Sequence, residues 1–155
     1  MNKRTAYILL PLLLLLCSCT ARYKEIEPTS FEIVSITPVG LTSLEAVVDV
    51  GVHNPAGRLT LSDIGCTVKY KGDPCVGITA DPVTLECRCD SVYRIPLKGA
   101  LVQGFNPFQL LEIIGNQSNV EFLTLDVEAF AKLPGGIGKE IEYSDVPLRR
   151  FVDRL

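Results

Sequence analysis

The chain contains no tryptophan, one histidine and one methionine, and it has no basic excess: 15 Lys and Arg stand against 18 Asp and Glu, a formal net charge of −3. Each shortage excludes something. A mildly acidic chain without a basic cluster lacks the electrostatic footprint of a nucleic-acid binder, so no nucleic-acid partner is expected. With no tryptophan and only five Tyr and six Phe, the aromatic platforms that sugar-binding surfaces rely on are scarce. A single histidine, His53, leaves little material for imidazole chemistry. As a general base it needs a nucleophile and an orienting acid beside it, and no Gly-x-Ser-x-Gly motif occurs. The longest apolar run, residues 6–16, is eleven residues, well short of the roughly 20 that span a bilayer.

That run follows a short positive segment containing Lys3 and Arg4, and small Ser18 precedes Cys19. Charge, apolar run and small residues in this order are those of a secretory leader, residues 1–18. Leu16-Cys17-Ser18-Cys19 resembles the bacterial lipobox. The resemblance implies that Cys19 becomes the acylated N-terminus; Cys17 is the poorer candidate because bulky Leu16 precedes it. More than one acyl chain would give stable anchoring. Residues 19–30 then read as a polar tether, and residues 31–150 as one domain. The expected location is the bacterial cell envelope, tethered to a membrane. Residues 20–25 lack an acidic run, which favours the outer membrane facing the periplasm.

Beyond Phe31 the dominant pattern is alternation with period two, the mark of half-buried strands. Leu44, Ala46, Val48, Val50 and Val52 share one parity, and Asn54-Pro55-Ala56-Gly57 ends the run. Pro55 cannot donate to a ladder, and the Asn54 side chain can bond nearby backbone, so both have a structural role in the turn. Leu59 and Leu61 resume the pattern, and Cys66, Val68 and Tyr70 lead into the turn at Lys71–Pro74. Residues 83–97 read as one long strand bent near Asp90-Ser91, with Val83, Leu85, Cys87, Cys89 and Tyr93 on its apolar side. Val120–Leu133 and Ile137–Leu148 form a closing hairpin across Pro134-Gly135-Gly136. Between them, Asn106-Pro107-Phe108-Gln109 caps a short helix that Gly115-Asn116 ends. A helix so apolar is expected to plug an open end of the domain. The fold expected is all-β, a roughly seven-stranded antiparallel sandwich of the immunoglobulin or fibronectin-III kind with one short helix.

Four cysteines follow Cys19. Cys66, Cys87 and Cys89 have apolar parity, and the first reading is of small buried hydrophobes. An oxidising compartment also permits disulfides, such as Cys66–Cys75 across the turn or a bridge to a neighbouring strand. Cys87 and Cys89 would stand about 6–7 Å apart on an extended strand, too far for an unstrained mutual bridge. No metal site is expected: the spacings x8, x11 and x1 contain no Cys-x-x-Cys, and only one histidine exists. Gly135-Gly136-Ile137-Gly138-Lys139 fails as a phosphate loop because Leu133 and Glu140 occupy its required Gly and Ser/Thr positions. No cofactor is expected.

Residues 46–70, with the strand closing at Asn54-Pro55, the Leu59-x-Leu61 strand, Tyr70-x-Gly72 and the later Ile95-Pro96-Leu97, resemble the late-embryogenesis-abundant type 2 proteins, which carry the WHy domain. The resemblance covers about residues 31–148. It implies a seven-stranded sandwich with one helix, no catalytic residues and an association with dehydration stress. The cysteines and the short C-terminal end, Phe151–Leu155, depart from that pattern. The function expected is a non-enzymatic, lipid-anchored binding or protective module. The alternatives are an adaptor subunit that offers a strand edge to an envelope protein, a carrier of an apolar ligand and a small envelope hydrolase.

Overall fold

The computed structural model describes residues 22–152. The expected leader, Cys17, Cys19 and the last three residues lie outside them. A 3-10 turn, Arg22–Glu25, leads into eight strands: β1 Glu27–Val39, β2 Ser43–Asn54, β3 Leu59–Tyr70, β4 Asp73–Ala80, β5 Val83–Leu85, β6 Cys89–Leu101, β7 Leu123–Lys132 and β8 Gly138–Pro147. Helix α1, Pro107–Gly115, and a 3-10 turn, Gln117–Phe122, separate β6 from β7, and α2, Arg149–Val152, ends the described chain. All pairings are antiparallel, in the order β1-β2-β6-β4-β3-β7-β8, with β5 on β3.

The protein is therefore all-β and sandwich-like. The β1-β2-β6 layer and the β3-β7-β8 layer, with β5, are joined by β4, which pairs with β3 on one side and with β6 on the other. Alternation explains the layering. Register places Ala46 opposite Leu97, Val48 opposite Ile95 and Val50 opposite Tyr93, so one face of this layer is apolar. Its opposite face carries Asp49 paired with Arg94 and His53 paired with Asp90. The layers meet where Val52 and Tyr93 pack on Leu59, Leu85 and Ala131, with Leu61, Val83, Leu133 and Ile141 around them.

Several local features differ from expectation. Leu59–Leu61 and Cys66–Tyr70 belong to one strand, because a bulge between Ser62 and Gly65, with Asp63 at φ 50°, restores the inward parity. Strand β4 was not expected, since Asp73-Pro74 read as turn and the small residues that follow show no clean alternation. The segment 83–97 is not one bent strand. It breaks at Glu86–Arg88, two residues before the expected bend, into β5 and β6. Residues 22–30, read as tether, are built into the fold: Tyr23 and Ile26 pack against the core cluster, and β1 begins at Glu27. There β1 crosses close over Gly51, where a Cβ would fall on Ser30 Oγ and Thr29 Oγ1.

The closing hairpin forms across Pro134-Gly135-Gly136 as expected, with Gly135 and Gly136 supplying positive φ, but its first strand starts at Leu123 because Val120–Phe122 belong to the 3-10 turn. Asn106 caps α1 by accepting a 2.9 Å bond from the Phe108 N–H, and Asn116 ends it by capping the following 3-10 turn.

Leu85 is 4% exposed at the centre of the interlayer cluster. We predict that Leu85→Ala costs about 3 kcal/mol, from lost transfer energy and the cavity left behind, measured by urea unfolding. A cost below about 1 kcal/mol would show that the layers do not close there.

Candidate functional site

The expected structural residues fall into two groups, and only one is assembled. Asn54, Pro55, Cys87 and Cys89 come together at the end of the sandwich where the described chain begins; Cys66 and Cys75 lie elsewhere. Asn54 organises the first group. It is 1% exposed, and its side chain makes three bonds. Nδ2 donates to the carbonyls of Gly57 (3.1 Å) and Glu86 (2.7 Å), and Oδ1 accepts from the Ala56 N–H (3.0 Å). The Arg88 N–H donates to the Ala56 carbonyl at 3.0 Å, and the Glu86 N–H donates to the Tyr93 hydroxyl at 2.9 Å. One amide thus joins the turn after β2 to the turn between β5 and β6. No buried side-chain nitrogen or oxygen among the described residues is left without a partner.

Around this lock lie exposed ion pairs. His53 Nδ1 pairs with Asp90 across the β2–β6 ladder. The hydrogen bond that the ring donates to Asp90 raises the His53 pKa above its ordinary 6.5, while partial burial opposes it and the charges of Asp90, Glu27 and Glu25 add smaller raising effects. Arg94 holds Asp49 with bonds of 2.8 and 2.7 Å and lowers its carboxyl pKa. Arg58 grips Glu86 beside the cysteine turn. Such surface pairs contribute little to stability. His53 therefore has a carboxylate partner, but among the described residues no hydroxyl or thiol is bonded to its ring in the manner of a nucleophile.

The four cysteines are free thiols. Burial is the expected state for Cys66, which is half-buried, and its thiol is pushed up to about 11 by desolvation, with Asp126 adding to the effect. Cys75 is completely buried, with Sγ on the Val68 carbonyl at 3.1 Å. Burial likewise raises its pKa. No Cys66–Cys75 bridge joins them. Cys89 is half-buried, but Cys87 is exposed, contrary to its apolar parity. The chain leaves the strand at that residue, so parity no longer governs where its side chain goes. Among the described residues no group of three His, Cys, Asp or Glu side chains converges to hold a metal ion.

Two surfaces bear on binding. An open groove of about 490 Å³ lies where β2, β6, β4 and β3 run side by side, lined by Leu44, Cys66, Ile78, Thr79, Lys98 and Gly99 among others. It is open to solvent and not an enclosed core cavity, so it does not separate an apolar ligand from water. The second surface is α1. Ile113 is buried, but Phe108, Leu111 and Ile114 are 75%, 66% and 67% exposed. The helix is fastened at one side, where Asn119 Nδ2 donates to the Ile113 carbonyl and the Tyr70 hydroxyl donates to Asn119. It does not plug the sandwich; half its apolar surface is in water. An apolar helix sequence reads alike whether one flank or two are covered, so sequence could not distinguish the cases.

The sheet edges are blunted. β1 carries Pro28, Pro38 and two register shifts, and β8 carries Lys139, Pro147 and one. Long flat pairing with another chain is discouraged at both.

No family model matches the chain, and no curated protein matches it. Among solved structures, a protein from Archaeoglobus fulgidus is similar at 15% identity and a TM-score of 0.48, covering 76% of this chain and 97% of that one. The GAE domain of yeast GGA1 is similar at 10% identity and a TM-score of 0.30, covering 74% and 97%.

Two predictions follow from the lock and the pair beside it. Asn54→Ala leaves two carbonyls and one N–H without their partner and should cost about 3 kcal/mol, at roughly 1 kcal/mol per bond, measured by denaturant unfolding. The sole histidine should titrate by NMR with a midpoint above 6.5, and Asp90→Asn should return it toward 6.5. Because the folded pKa is raised, this pair's contribution to stability is complete below pH 6.5 and is lost as pH rises through the His53 midpoint. A midpoint at or below 6.5 would show that the pair does not form.

Proposed function

We propose that this chain is a non-enzymatic, lipid-anchored protein of the bacterial cell envelope, acting as a binding module that meets a protein partner through helix α1. The observation that carries the reading is the position of that helix. The described chain begins beside Tyr23 and the Gly57 turn, at the end of β2 marked by His53 and Asn54. Helix α1 follows Leu101, whose N–H bonds the Thr42 carbonyl at the opposite end. The 12 residues of β2 separate the two ends, about 36 Å at the usual rise. Acylation at Cys19 would set the first end against the membrane and hold Phe108, Leu111 and Ile114 away from it.

An apolar face held there suits a protein surface better than lipid. The helix has no basic residue and one acid, Glu112, so it has nothing to attract anionic headgroups. Exposed apolar surface of this kind marks interaction sites. The blunted edges weigh against an adaptor that works by adding a strand. The late-embryogenesis-abundant type 2 resemblance supports the non-catalytic reading, and the lipobox resemblance supports the anchor. No helix among the described residues is long and apolar enough to cross a membrane.

Two measurements test the proposal. Cys19→Ala should move the protein from the membrane fraction to the soluble fraction; retention would overturn the anchor. A photo-crosslinker at Phe108 in intact cells should give a discrete protein adduct that Leu111→Asp abolishes. Lipid adducts at Phe108, or none, would overturn the binding role.

A further inference from the structure

Cys87 and Cys89 flank Arg88 in the turn between β5 and β6, and that turn changes what the two thiols can do. On an extended strand their spacing would forbid a bridge. In the structure Arg88 adopts φ 50°, in the left-handed region. A residue in that region is the mirror image of a helical one, and helical geometry spaces the Cα atoms on either side about 5.4 Å apart. Disulfides usually span Cα separations of about 4.4–6.8 Å, most often 5.5–6 Å. A left-handed Arg88 thus brings the two Cα atoms into the range that a disulfide spans.

The surroundings keep it there. The Glu86 carbonyl is held by Asn54 Nδ2, the Glu86 N–H by the Tyr93 hydroxyl, the Arg88 N–H by the Ala56 carbonyl, and Cys89 by its ladder position opposite Asn54. The two thiols also differ in access. Cys87 is exposed at the tip, within electrostatic reach of Arg58. Cys89 is half-buried, its Sγ 3.5 Å from the Glu86 carbonyl and 3.3 Å from Ser91 Oγ. An exposed thiol that meets the reagent, with a shielded one behind it, is the arrangement that thiol–disulfide exchange needs. Cys66 and Cys75, in contrast, are shielded and lie outside the turn.

We propose that Cys87 and Cys89 form a vicinal dithiol that exchanges stoichiometrically with disulfides, a reaction separate from the binding role of α1. The Cys87 thiolate attacks one sulfur of a substrate disulfide, forming a mixed disulfide and releasing the other sulfur as a thiolate. The Cys89 thiolate then attacks Cys87 Sγ, closing the Cys87–Cys89 bond and releasing the second substrate sulfur. The dithiol is oxidised by two electrons, the substrate disulfide is reduced by two, and the two cysteine protons end on the substrate thiols. The substrate class is a disulfide of another protein or of a small thiol; the reverse sequence delivers the bond to a substrate dithiol.

Phenylarsine oxide, which bridges two thiols, tests the pairing on the full chain in detergent. The native protein should lose two thiols for each arsenical bound. Cys87→Ser or Cys89→Ser should weaken binding roughly 100-fold or more, as expected when a chelate becomes a single contact; Cys66→Ser and Cys75→Ser should leave it unchanged. Equilibration with oxidised and reduced glutathione should yield a species lacking two hydrogens whose bridged peptide contains Cys87 and Cys89. Cys87 lies on the surface, so its serine variant should keep the native unfolding midpoint, and that control separates lost chemistry from lost fold. A glutathione adduct that persists on Cys87, a bridge mapping to other cysteines, or arsenical binding that survives Cys89→Ser would each overturn the proposal.

Discussion

The end of the sandwich nearest the start of the described chain depends on one buried amide. Asn54 terminates β2, and Pro55 forces the chain out of the ladder directly after it. The backbone groups freed by that exit, and by the break between β5 and β6, would otherwise be buried without partners. A single side chain with two donors and an acceptor meets three of them. Aspartate offers no donor, and serine is too short to reach both turns. The same bonds set the position of Leu59 and Leu85 on either side of the lock, and so the place where the two layers close.

The lock also connects fold to chemistry. Holding Glu86 and Arg88 in place makes Arg88 adopt a left-handed conformation and turns Cys87 outward, while Cys89 stays in the ladder. At the other end the structure takes the opposite course: α1 is secured along one flank only, and its remaining apolar surface is left uncovered. The protein thus has one end where bonded turns carry Cys87 and Cys89 and another that carries the helix with its uncovered apolar surface, separated by the length of β2.

Much of this was legible in the sequence, for identifiable reasons. Alternation in Leu44–Val52 reflects burial of one strand face, a local property that needs no knowledge of partners. Asn54-Pro55, Gly135-Gly136 and the Asn106 cap are backbone requirements written in residue type. The all-β, sandwich-like architecture follows from these. What escaped was whatever depends on long-range pairing. β4 has weak alternation in sequence, and it becomes a strand only because β3 and β6 pair with it on either side. Cys87 shows strand parity, yet a turn fixed by Asn54, remote in sequence, removes it from the strand. The face of α1 left in water depends on where the rest of the chain stops covering it.

The most direct test is native-state hydrogen exchange at the Ala56 and Arg88 amides. If Asn54 joins the two turns, both amides should exchange only at the free energy of global unfolding and should respond together to denaturant. Exchange of the Arg88 amide at the rate of an open loop, while the strands on either side remain protected, would contradict the account.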